Sequence, residues 1–164
     1  MDSDMLFRQA DEAYENEDFD RAFSLFVLSA EHGNGLAMTR VAIMYENGEG
    51  TPADIAKSIE FDLKAMVAGS STSILNLGLT YKKLGSIDEA RRWFVKALDQ
   101  GDGEAAFELA KLHDLDDPDS LTIKKYLDLA ANAGDLSENT SAEMHAWLAR
   151  IATASPERST PTDA

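Results

Sequence analysis

The densest run of side chains able to do chemistry is His113-Asp114-Leu115-Asp116-Asp117-Pro118-Asp119-Ser120, whose carboxylates and imidazole are donors a divalent cation could take. The ligand spacing of a calcium loop is absent from it. Acidic residues just ahead of a helix also complement the positive end of its dipole. Asp119 or Ser120 suits the N-cap of a helix starting near Leu121, so capping is the stronger reading and metal-dependent activity the weaker. Gly48-Glu49-Gly50 lacks the lysine and the preceding strand that phosphate cradling requires, and reads as a linker. His32 and His145 are isolated in sequence, and His32 beside Gly33 is explained by favourable charge at a helix C-terminus. Glu12 with Glu15, and Asp99 with Asp102, fall on solvated helix faces or turns, without the desolvating pocket that acid–base catalysis needs. The sequence therefore offers no catalytic residue, no resident metal and no cofactor site, and the expectation is a protein that is not an enzyme.

The elements that carry these residues repeat. Gly33, Gly69, Gly101 and Gly134 each follow an apolar helical pattern, at separations of 36, 32 and 33 residues, and each suits the end of a helix, where the left-handed conformation favours glycine. Eleven positions earlier stand Ala22, Ser58, Ala90 and Ile123; eight earlier, Leu25, Phe61, Trp93 and Tyr126; four earlier, Ser29, Ala65, Ala97 and Ala130. Offsets of 3, 4 and 7 share one helix face, so a bulky side chain sits between small ones that let a neighbouring helix approach. Beyond the glycines the columns continue as Ala37, Ser73 and Ala105, then Val41, Leu77 and Leu109, then Ala42, Gly78 and Ala110, and lastly Tyr45, Tyr81 and His113.

These columns predict nine helices over about 3–16, 19–32, 35–47, 55–68, 71–84, 87–100, 103–114, 120–133 and 137–153. Short links force neighbouring helices antiparallel, giving an all-α, right-handed α-solenoid of stacked pairs. One domain is expected over residues 1–153, about four repeats and a capping helix, with a disordered tail over 154–164 that carries Ser155-Pro156 and Thr160-Pro161. Phe26, Phe61, Trp93, Phe94 and Tyr126 are assigned to packing, and Trp93→Ala is expected to cost about 3–5 kcal/mol.

The pattern resembles tetratricopeptide repeats and, more closely, Sel-one-like repeats, in which a Gly-x-Gly loop followed by Asp joins two units. Tyr45-Glu46-Asn47-Gly48-Glu49-Gly50-Thr51-Pro52-Ala53-Asp54 matches that loop, with paired glycines for a tight reversal and Asp54 as cap of the helix from Ile55. The later units, such as Leu77 to Ala90, lack the insertion and are similar to ordinary tetratricopeptide repeats; the resemblance covers residues 5–134.

In such arrays the first helix of each pair lines an inner, concave surface. The resemblance thus implies a partner-binding set of Asp11 and Tyr14; Thr39, Ile43, Glu46 and Asn47; Leu75, Leu79, Lys82 and Lys83; and Phe107, Lys111 and Asp114. Apolar anchors among charges suit a peptide or protein protrusion.

Thirty acidic against fifteen basic residues give a net charge of −15, which repels phosphate backbones and anionic lipid, so neither nucleic acid nor membrane is an expected partner. Residues 1–50 carry net −8, residues 51–100 net +1 and residues 101–164 net −8. Most of that charge serves solubility, and the remainder could steer a basic partner. Stand-alone Sel-one-like proteins include bacterial immunity proteins, and with the acidity this implies a neutraliser of a basic toxin or effector domain. An adaptor, scaffold or chaperone-like role is the alternative. Met1-Asp2-Ser3-Asp4 is unlike a secretory signal, and the expectation is a bacterial, cytoplasmic protein, monomeric or weakly self-associating.

Overall fold

The structure, a computed structural model, describes residues 2–116 and 120–154. Among the described residues there are nine α-helices and no strand: α1 (Ser3–Glu15), α2 (Phe19–Glu31), α3 (Gly35–Asn47), α4 (Ile55–Val67), α5 (Thr72–Lys83), α6 (Ile87–Leu98), α7 (Gly103–Asp116), α8 (Ser120–Ala133) and α9 (Glu138–Ala154). Every boundary lies within two residues of its expected place. The helices form two compact units, residues 1–100 and residues 101–164. Ala154 closes α9; the rest of the expected tail, and Asp117, Pro118 and Asp119 of the acidic run, lie outside the described residues.

In the first unit each helix packs mainly on its neighbours in sequence, from α1 on α2 through α5 on α6. The starts are set by caps: the side chains of Asp2, Asp18, Asn34 and Asp54 each accept a backbone N–H from the first turn that follows. In the α3–α4 loop Gly50 has φ +65°, and a Cβ there would collide with the carbonyl oxygen of Phe19, so this loop lies directly against the start of α2. The linker reading of Gly48-Glu49-Gly50 accounts for its shape.

The small columns are fully buried at Ala22, Ala65, Ala90, Ala97 and Ala130. The bulky column is shifted by one place. Phe26, Phe94 and Leu127, seven residues before their glycines, are fully buried, whereas Leu25, Phe61, Trp93 and Tyr126 are half-buried. A helical stripe takes positions i, i+3, i+4 and i+7, and the i+4 member faces the neighbouring helices squarely while i+3 sits at the flank. The large truncation cost expected at Trp93 therefore belongs to Phe94. Gly78 of α5 lies under the Phe94 ring so closely that a Cβ would come within 2.5 Å of it, and this glycine lets α5 and α6 approach.

In the second unit α7 packs on α8, and α9 on α8 with lesser contact to α7. Glu104 accepts from Ser137 N at 2.8 Å and Asp135 from Gly103 N at 3.1 Å, tying the start of α9 to that of α7. Phe107 meets Trp147 edge to face, with ring centroids 6.2 Å apart.

Candidate protein-binding surface

Residues at matching positions of α1, α3 and α5 form one face of the first unit. Ile43 and Leu79, each ten residues past the preceding glycine, are half-buried, as is Leu75. Long side chains bridge successive first helices around them. Asp11 of α1 pairs with Arg40 of α3 at 3.8 Å, and Glu46 of α3 pairs with Lys83 of α5. Tyr14 Oη donates to Glu49 Oε2 at 2.8 Å, and Asn47 Nδ2 donates to Glu49 Oε1 at 3.3 Å. The Tyr14 hydroxyl has its pKa raised, first by that hydrogen bond and then by burial. Lys82 is half-buried and Lys83 exposed. The Asp11–Arg40 pair is open to water on both sides and stabilises the fold by roughly 1 kcal/mol or less, whereas Glu46 is largely covered beneath exposed Lys83.

Two residues of the expected set leave it. Thr39 is 6% exposed, with its hydroxyl donating to Gly35 O at 3.2 Å and paired with Ser70 Oγ at 3.0 Å. Phe107 is 1% exposed and packs on Trp147. Both stand six residues past their glycine, where Leu75 of the middle repeat stays half-buried, so what buries them is their own neighbours, Ser70 for Thr39 and Trp147 for Phe107. In the second unit Lys111 lies 4.2 Å from the Phe107 ring centre and within 3.4 Å of Glu108 and 3.5 Å of Glu143 of α9, while Asp114 is exposed.

Arg40 and Glu49 join the face without having been read from the sequence. Arg40 carried a signal: it stands seven past its glycine, where Asn76 and Glu108 make the same column polar in three repeats. Glu49 sits in the loop insertion, outside any column. A second apolar patch brings Leu63 and Val67 of α4 beside half-buried Met38 of α3; Val67 is 84% exposed. No group of three or more His, Asp or Glu side chains among the described residues could hold a metal, and no described helix is long and apolar enough to cross a membrane.

Antiparallel helix pairs with recurring small and large columns define an α-solenoid repeat protein. The Sel1 repeat family model matches residues 11–34, 35–65 and 73–102, and the chain belongs to that family. It is similar in structure to a Sel1 repeat protein from Oxalobacter formigenes, with a TM-score of 0.69, 21% identity, and coverage of 86% of this chain and 60% of that one. It is also similar to a protective antigen of uropathogenic Escherichia coli that displays an SLR fold, with a TM-score of 0.73, 19% identity, and coverage of 91% and 34%. The chain thus spans 60% and 34% of the lengths of these two proteins, and the likeness establishes the fold. An immunity protein from Pseudomonas aeruginosa aligns over 87% of this chain and 80% of its own at 16% identity, but its TM-score of 0.41 carries no weight for fold or function.

Proposed function

We propose that this protein is a non-enzymatic binding module that holds a partner protein or peptide on the first-helix face of residues 1–100. The observation that carries the reading is the repetition of half-buried aliphatic side chains, Ile43 and Leu79, at one repeat position, bordered by the ion pairs Asp11–Arg40 and Glu46–Lys83, whose basic members are exposed. Apolar anchors ringed by charge match the anatomy of a transient protein interface. A module of this shape needs no chemistry of its own.

The partner proposed is basic, because a net charge of −15 accelerates its encounter and disfavours acidic competitors. In its most specific form the role is that of an immunity protein neutralising a basic toxin or effector domain in the bacterial cytoplasm. Capture of partners from lysate of the source organism, at low and at high salt, tests the general reading. A single basic protein released by salt is the expected result. Equimolar inhibition of that protein's activity would support the immunity role, whereas binding without inhibition would make the module an adaptor. Recovery of only acidic or nucleic-acid partners would overturn the proposal.

A further inference from the structure

Seven residues before three of the column glycines stand Phe26, Phe94 and Leu127, all with no exposed surface; seven before Gly69 stands Asp62, which is 1% exposed. Burying a carboxylate in such a place is costly unless it is paired. Asp62 Oδ1 has no hydrogen-bond partner, nor has Ser58 Oγ one turn earlier on α4. On α5, which packs against α4, Thr80 Oγ1 is likewise buried without a partner, and the side-chain amide of Asn76 bears on the Asp62 carboxyl. Thr80 departs from its own column too, standing where Met44 and Leu112 are buried in the other repeats. Both sides of this seam carry polar side chains, Asp62 and Ser58 on α4 and Thr80 on α5, in columns that are apolar in the other described repeats.

We infer that the α4–α5 seam is a titratable joint, tightly packed while Asp62 carries a proton that it can donate across the seam, and loosened when Asp62 ionises. A neutral carboxyl both donates and accepts and is buried at little cost, whereas the carboxylate can accept from the Ser58 and Thr80 hydroxyls and the Asn76 amide yet still places an unneutralised charge in a seam closed to water. Burial pushes the Asp62 carboxyl up to about 7, with Asn76 pulling it back and Glu46 adding to the rise. The groups bearing on it from the packed helices are Glu46 of α3, itself paired with Lys83 of α5, and the uncharged Asn76 and Thr80 of α5; on α4 itself Ser58 is uncharged. The Glu46–Lys83 pair joins α3 to α5, so opening of the joint also alters the first-helix face. The inference stands whether or not that face binds protein.

For an acid whose folded pKa lies above its unfolded one, the native state holds the proton longer, so stability is full below pH ~4 and is lost as pH rises toward about 7. The test follows the Asp62 side-chain carboxyl carbon by NMR from pH 4 to 9 in the intact protein. It adds amide exchange in α4 and α5, corrected for the intrinsic rate, for wild type, Asp62→Asn and Asp62→Leu. We expect Asp62 to titrate near neutrality and the opening equilibrium to grow about tenfold per pH unit between pH ~5 and ~7, with both variants flat across that window. Titration of Asp62 below pH ~5, or an unchanged pH dependence in Asp62→Asn, would overturn the inference. The wild-type titration decides the matter even if a variant does not fold.

Discussion

Glu17 holds φ +60° at the end of α1, at the position where other helices of the chain end in glycine. Its backbone N–H still closes on Tyr14 O, so the geometry is that of an ordinary helix ending with a Cβ forced into the left-handed region. Glu17→Gly should stabilise the protein by about 1 kcal/mol, read as a higher denaturation midpoint at unchanged slope. A second pair of substitutions separates neighbours in the core. Phe94→Ala should cost about 3–5 kcal/mol and Trp93→Ala less than half of that, because Phe94 has no exposed surface and Trp93 lies at the flank under Lys96. Equal losses would mean that the stripe has been misplaced. The sequence showed both aromatics to be packing residues but not which was central, since neighbouring residues on a helix differ by only 100°. The break in the buried column at Asp62 was present in the sequence, one place from the column that was counted.

At the scale of elements, helix positions were legible because caps and column glycines mark both ends. Asp54 is the clearest case: its Oδ1 accepts from Lys57 N at 3.0 Å, as the loop motif implied. Asp54→Ala should lower stability by about 1 kcal/mol, and Gly50→Ala, which meets both a positive φ and the Phe19 carbonyl, by at least about 2 kcal/mol. Thermal unfolding of the two variants checks the order, and a silent Gly50→Ala would show that the loop does not rest on α2. Thr39 and Phe107 were misread because repeat register tells which residues are equivalent but not how far each helix is rotated against its neighbours. That rotation depends on side chains far away in sequence, such as Ser70 and Trp147. Ile43, Leu79 and Glu46 keep part of their surface and Lys83 most of it, so they remain open to the contact proposed for them.

For the molecule as a whole, the repeat class was readable from the glycine spacing alone, while the grouping of helices into residues 1–100 and 101–164 was not, since the 32- and 33-residue intervals run through Gly101 without a break. Net charge acts at this scale. At −15 the folded chain repels itself, and raising ionic strength from low to physiological should raise the melting temperature by roughly a few degrees, where a falling one would point to net stabilisation by ion pairs. The proposed function also belongs here, because it assigns binding to the first-helix face as a set and to no single side chain. The decisive measurement compares partner capture by three forms: wild type, Ile43→Asp/Glu46→Lys/Leu79→Asp on the first-helix face, and Leu63→Asp/Val67→Asp on the exposed side of α4. With all three shown to be folded by their melting curves, the account predicts that the partner is lost from the first variant and kept by the second; retention by the first variant, or loss only from the second, would contradict it.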